Sequence, residues 1–297
     1  MTFPRLLCYL LQVVIEGRTA INIRVCTLAS GSKGNCIYVE GRGRSAGSNG
    51  GSAGSTKILL DAGLSLRETK ARLKAVGVSP EEISAVIISH DHRDHVQGLG
   101  PVARGLGVPV YITEKTWKIV RPWQGRSTGG NGYKVIEFEA GTAFEIGGIT
   151  VEPFSTPHDA AEPVGFCFYA GNVKLGLATD LGYATGLVTE RLKGCNLLLL
   201  ESNHDPVMLK DGPYPWPLKQ RVAGKEGHLS NEDSAALLSE LIHAGLTHVT
   251  LAHISQTNNL PRLAYQCARE ALVRCSCDGD IGIGVAGQDS VGEMTEA

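Results

Sequence analysis

The chain reads as an α/β protein in which two sheets pack face to face with helices on the outside. Three observations predict this: short apolar runs along the whole chain, helix signals set between them, and no visible repeat period. Strands come first with one helix among them, more strands follow, and strand and helix then alternate to the end.

Taken in order, INIRVCTLAS and CIYVE are two strands around the glycine turn GSKGN, and KILLDAG is a third that ends at Asp61. Residues 41–57, GRGRSAGSNGGSAGSTK, are too rich in glycine and serine to pack a core. They are expected as a flexible loop joining the strands of a hairpin. SLRETKARLKAVGV predicts a helix with Leu66, Leu73 and Val76 toward the core, and AVIIS a short buried strand that delivers His90. A helix near Glu114–Val120 and strand-like runs near Tyr133–Glu139 and Gly148–Ser155 follow. GFCFYA and VKLGLATD form a hairpin through Gly171 and Asn172, and NLLLLES is another buried strand. NEDSAALLSELIHAG starts a helix at Asn231 with Leu237, Leu238, Leu241 and Ile242 on one face. THVTLAHIS is a strand ending at His253, PRLAYQCAREALVR a helix opened by proline, and DIGIGVAG the last strand.

These elements are expected to form one domain over residues 21–290, preceded by a peripheral extension at residues 1–20. The extension carries an apolar run, Leu6–Ile15, that superficially resembles a signal peptide. The run is too short to span a bilayer, stops at Glu16 and has no good small-x-small cleavage site.

With 297 residues, 42% hydrophobic and 20% charged, the composition is that of an ordinary globular protein able to bury a sizeable core. A formal net charge of −2 gives no global attraction to polyanions, so nucleic acid would need a local basic patch. The eight cysteines are scattered through mostly apolar stretches without a CxxC pair, which points to reduced thiols and a cytoplasmic protein.

Three of the nine histidines and two aspartates crowd into HDHRDH, from His90 to His95, directly after a buried strand. Such crowding is costly unless a positive charge sits between the groups, and a metal ion provides one. In extended backbone His90 and His92 point to the same side, and the turn after them can aim Asp94 and His95 at a neighbouring point. One loop thus feeds two metal positions. Asp61, Asp180, Glu201 and His253 also fall at strand C-terminal ends, where one sheet edge would gather them. His243 and His248 read as structural, one on a helix face and the other opening a strand.

HDHRDH resembles the HxHxDH signature of the metallo-β-lactamase superfamily. The resemblance continues through Asp61 in LLDAG, His158 in TPHD, Asp180 in ATDLG and His253 in LAHIS, spanning residues 22–288. It implies a four-layer αββα sandwich with two divalent metal ions, zinc or manganese with iron possible. His90, His92 and His158 would hold the first ion, Asp94, His95 and His253 the second, and Asp180 both, with Asp61 orienting a ligand histidine. Aspartate at position 94 points away from true β-lactamases and toward a hard, oxygen-donating second position.

Residues 201–235 discriminate further. ESNHD, a proline-aromatic stretch and GHLSN, with the opening ASGSKGN and the closing LAHIS and NN, are similar to the YycJ/WalJ subfamily, which implies 5′-to-3′ exonuclease activity on DNA. Too few residues remain for the large helical insertion of the RNase J type, so a compact enzyme acting on single strands or ends is expected. Asn203, His204, His228, Lys219, Arg221 and Lys225 are the candidate substrate contacts, and Asp94, His228 and Asp61 the candidate catalytic groups. His228 would bind a phosphate oxygen or protonate the leaving group; as a plain alternative it opens a helix. Lys219, Arg221 and Lys225 read equally as a solvated helix face, and GSKGN equally as a hairpin turn or an anion nest. The competing functions are a small-molecule cyclic phosphodiesterase similar to PhnP and a catalytically silent metal-binding scaffold in DNA repair.

Overall fold

The computed structural model describes residues 23–42, 54–124, 132–277 and 279–297. The expected extension at 1–20 and most of the glycine-serine loop lie outside the described residues. The strands on either side of that loop, β2 (Cys36–Gly41) and β3 (Thr56–Leu60), pair antiparallel, as a hairpin requires.

Two seven-stranded mixed sheets form the centre. The first takes β1 (Ile23–Ala29), β2, β3, β4 (Ala85–Ile87), β5 (Val110–Thr113) and β6 (Val135–Phe138) in that order, with β14 (Thr295–Glu296) outside β1. The second takes β7 (Phe144–Ile146), β8 (Ile149–Ser155), β9 (Val164–Ala170), β10 (Val173–Ala178), β11 (Leu197–Glu201), β12 (His248–Ala252) and β13 (Gly282–Val285). Helices cover both outer faces. On the first sheet these are α1 (Leu66–Ala75), the single turn α2 (Arg93–Val96), α3 (Leu99–Leu106) and α4 (Glu114–Val120). On the second are α5 (Gly186–Leu192), α8 (Asn231–Leu241) and α9 (Pro261–Arg274), while α6 (Pro206–Asp211) and α7 (Trp216–Val222) occupy the connection after β11.

The αββα layering follows from where apolar side chains alternate. Ile58, Ile87, Val151, Phe166, Phe168, Leu175 and Leu199 fill the space between the sheets. Their strand neighbours point outward: Leu59 and Val86 meet Leu73 and Val102 of the helices, and Leu198 and Leu200 meet Leu237 and Leu238. Strands buried on both faces read as continuous apolar runs, which is why LLLLE needs no alternation. In α1, Ser65 accepts from the Glu68 amide and Leu73 is fully buried, with Leu66 and Val76 partly so.

Four differences from the sequence expectation have local causes. β7 is three residues long, too short to show a period. α3 carries two glycines, which mask its helical pattern. α5 is announced mainly by Thr185, whose side chain accepts from the Val188 amide. β13 is not the last strand, because β14 lies beyond the expected edge at 290 and pairs antiparallel with β1.

Strand direction positions the site. β3 and β4 are parallel to each other, as are β10, β11 and β12, so their C-terminal ends present Asp61, His90, Asp180, Glu201 and His253 on short connections. Asp61, Asp180 and His253 sit at φ of 64°, 59° and 55°. Non-glycine residues seldom adopt that left-handed region, and such strain concentrates at functional sites.

Candidate metal centre

The HDHRDH loop is pinned before it presents any donor. The Ala62 amide donates to the carbonyl of His95 and the Asn35 amide to that of Asp94, both at 2.8 Å. Gly63 is required where these segments cross, since a Cβ there would lie 1.8 Å from the Asp94 carbonyl oxygen.

Among the described residues four overlapping donor groups have their ligand atoms within 4.8 Å of one another: His90, His92 and His158; Asp94, His95 and His253; His90, His95 and Asp180; and Asp180, Glu201, His228 and His253. Asp180 touches both of the first two. Its Oδ1 lies 3.9 Å from His158 Nε2 and 3.5 Å from His253 Nε2, and its Oδ2 lies 3.6 Å from His95 Nε2. All seven side chains that the sequence nominated as ligands are therefore neighbours.

Every imidazole is anchored through its other nitrogen. His90 Nδ1 lies 3.0 Å from Ser89 Oγ, His158 Nδ1 2.9 Å from the Gly227 carbonyl, and His92 Nε2 3.1 Å from that of Asp159. His95 Nδ1 meets Asp61 Oδ2 at 2.8 Å, and His253 Nδ1 meets Glu201 Oε1 at 3.0 Å. Asp61 is itself fixed by the amide and hydroxyl of Ser89. Orientation of this kind raises a ligand's basicity and sets its tautomer. Among the described residues the inward atoms His90 Nε2, His253 Nε2 and Asp180 Oδ2 are buried without a hydrogen-bond partner. Buried polar atoms of both signs left unpaired around one point fit a bound cation, and the nitrogen and oxygen donors suit a divalent one.

Charge divides the cluster. Burial, reinforced by the neighbouring imidazoles, holds His90 well below the ordinary histidine value, and burial lowers His158 despite Asp180. At His95 burial acts the same way but is overridden by Asp61, Asp180 and Asp94, which hold it well above that value. His253 is likewise raised, by Asp180, Asp94 and Glu201 against burial. Burial opposes ionisation of Asp94 and Asp180, yet the surrounding histidines keep both carboxyl groups below the usual range.

In the sequence Glu201 stands out by its strand-end position and as one of the polar donors of ESNHD. Fully buried, it places Oε1 2.7 Å from His228 Nδ1 as well as on His253, while Oε2 accepts from the amides of Leu181 and Leu229. Burial works against its charge, but His228 and His253 keep it ionised. His228 is thereby fixed beside the cluster, its ring centroid 5.0 Å from that of His158 and 5.1 Å from that of His253.

The other candidate contacts fall in different places. Asn203 is buried, with its amide donating to the His253 carbonyl, and supports that histidine from behind. His204 is buried too, with Nδ1 unpartnered. Arg221 forks onto Asp159 through Nε and Nη2, and Asp159 lies 3.7 Å from His92 Nε2 and 3.6 Å from His158 Nε2. Lys219 donates to the carbonyl of Lys210, and Lys225 is exposed. The GSKGN turn spends its amides internally: Gly31 on Asn35 Oδ1, Lys33 on Gln288 Oε1, Gly34 on Gly31 and Asn35 on Asp94. It is a bonded turn and not an open anion nest.

An αββα sandwich with this donor cluster at one sheet edge defines the class. Residues 56–254 match the Beta-lactamase superfamily domain, and the chain belongs to the metallo-β-lactamase superfamily. Within it, the chain is 37% identical over 252 residues to Exodeoxyribonuclease YycJ of Bacillus anthracis, covering 85% of this chain and 90% of that protein. It is 33% identical over 265 residues to Exodeoxyribonuclease WalJ of Streptococcus pneumoniae, covering 89% and 92%. Among solved structures it resembles the metallo-β-lactamase fold protein YhfI of Bacillus subtilis, with a TM-score of 0.66 and 16% identity over 93% of this chain and all of that one. No described helix is long and apolar enough to cross a membrane.

Proposed function

We propose that this chain is a binuclear metal-dependent phosphodiesterase that acts in the cytoplasm as a 5′-to-3′ exonuclease on DNA ends, using two zinc or manganese ions, with iron as a further candidate. The observation that carries this reading is a cluster of overlapping donor groups with an anchored histidine, His228, in a chain 37% identical to an exodeoxyribonuclease.

His90, His92 and His158 would hold one cation, Asp94, His95 and His253 the other, and Asp180 both. When bound, such cations polarise a phosphoryl oxygen and bring the pKa of a water down to about 7, which supplies a nucleophile at neutral pH. The chain's own residues then do the positioning. Asp61 and Glu201 keep His95 and His253 turned inward. Glu201 also accepts the Nδ1 proton of His228, so His228 Nε2 is the nitrogen left to bind a phosphate oxygen or protonate the leaving alkoxide. Arg221, held at the rim by Asp159, offers its remaining N–H groups to backbone phosphates, with Lys219 and Lys225 adding positive charge on the same segment.

Purified, metal-analysed protein assayed on 5′-phosphorylated end-labelled oligonucleotides and on cyclic nucleotides tests the reading. Two metals per chain and stepwise shortening from the 5′ end are expected. Hydrolysis of cyclic nucleotides alone would transfer the site to small-molecule phosphodiester chemistry, and metal-replete protein inert toward both would leave a silent scaffold. In His228→Ala, metal content should persist while turnover falls by about 10²- to 10⁴-fold, the usual worth of a general acid.

A further inference from the structure

Beyond the donors, one exposed side chain three residues from Asp180 has no structural employment. The segment after Asp180 is tied down residue by residue. Leu181 is fully buried, and its amide donates to Glu201. The Gly182 amide donates to the Pro157 carbonyl, and a Cβ on Gly182 would lie 2.3 Å from the Lys225 carbonyl and 2.5 Å from that of Gly224. Gly182 is thus wedged between the loop that bears His158 and the loop that ends at His228. Ala184 packs against the core, and Thr185 caps α5. Tyr183 alone faces outward, 46% exposed, and among the described residues its hydroxyl and ring have no hydrogen bond or ring contact.

Its location is constrained. Three residues from Asp180 limit the Cα separation to about 11 Å at full extension. The seam from which it emerges is closed on the other side by the Asp159 amide on the Glu226 carbonyl and by the Arg221–Asp159 pair. Trp123 and Trp216 are also exposed, but among the described residues no backbone hydrogen bond ties either to a donor loop.

We propose that Tyr183 is the stacking platform that seats the nucleobase next to the scissile phosphate, so that the enzyme measures its substrate by a base face as well as by phosphates. This rests on the nucleic-acid reading of the same site. A phenol ring stacks on any base, which gives an exonuclease grip without sequence preference, and only its ring is needed.

The test uses metal-loaded full-length protein and two 5′-phosphorylated single strands, one ordinary and one whose first nucleotides are abasic. Wild type should cleave the ordinary strand with a kcat/KM about 5- to 150-fold above that for the abasic strand, the worth of one stacked base, with the difference mainly in KM. In Tyr183→Ala that ratio should collapse toward one, and Tyr183→Phe should restore it because the ring suffices. An unchanged ratio in Tyr183→Ala, with a folded, metal-replete variant, overturns the platform while leaving the nuclease reading intact. Failure of the nuclease reading looks different: wild type inert on both strands overturns the two together.

Discussion

Around the centre, buried histidines are shifted in opposite directions. In the three-histidine group burial dominates, so His90 and His158 are pushed toward neutrality. In the group of Asp94, His95 and His253, four carboxylates stand close to two imidazoles and hold them well above the ordinary histidine value in the metal-free chain: Asp61, Asp94, Asp180 and Glu201. The difference teaches that ligand type alone does not set readiness. A neutral imidazole accepts a cation at once, whereas a protonated one must first release its proton.

Asp180 joins the groups, so its loss should break the comparison altogether. Asp180→Asn keeps the size and removes the anion. Turnover should fall by at least about 10³-fold, since charge stabilisation worth several kcal/mol disappears. Metal content should fall with it while circular dichroism stays native. A variant that keeps full metal and activity within tenfold of wild type would show that the groups do not share this carboxylate.

The carboxylates behind the histidines give the next effect. Removing a partner of this kind costs about 10- to 100-fold in metal affinity or activity. Asp61→Asn loosens His95 directly and reaches His90 only through Ser89, whereas Glu201→Gln loosens His253 and His228 directly and together. Glu201→Gln should therefore lose more turnover than Asp61→Asn at matched metal occupancy. Equal losses would mean that the Glu201–His228 contact does no catalytic work.

This asymmetry also marks how far the sequence can be read. Strand ends gather at one sheet edge and the HxHxDH resemblance supplies the rest, so the convergence of HDHRDH, His158, Asp180 and His253 was legible together with the two-sheet core. Partners across the chain were not. Nothing local in LLLLES tells that Glu201 bonds residues 27 and 52 positions away, or that Asp159 turns from its own histidine loop to clasp Arg221. β14 escaped for a similar reason, because two residues carry no period and depend on β1 to be a strand at all.

A smaller effect follows from pH. Because His95 and His253 are raised, their ion pairs contribute stability to the metal-free chain that is complete below the ordinary value of about 6.5 and is lost as pH rises through the raised values. His90 and His158 act oppositely: burying them neutral favours the fold above about 6.5 and costs stability as pH falls toward their lowered values. Uptake by the carboxylate-rich group should release protons, and its apparent affinity should rise about tenfold per pH unit for each proton displaced. Binding at His90 and His158 should depend on pH much less. Calorimetric titration of metal into metal-free protein, in two buffers of different ionisation enthalpy, counts the protons released in each step; equal release in the two binding steps would erase the distinction.

The least effect concerns which side of the centre the substrate strand crosses. Arg221 reaches the rim through Asp159, and Asp159 abuts His92 and His158, so the fixed positive charge stands beside the three-histidine group. A strand following that charge would release one condensed counterion at Arg221, which sets the slope of log affinity against log salt. Arg221→Ala should weaken oligonucleotide binding severalfold at low salt and make that slope shallower by about one. Asp159→Ala should mimic it only in part, since the guanidinium remains but is no longer aimed. Were the slope unchanged in Arg221→Ala, the strand would have to approach from the Asp94 and His253 side, where the carboxylates repel it unless both cations are bound. In that case the salt dependence should instead steepen with metal loading, a second measurement that decides between the two approaches.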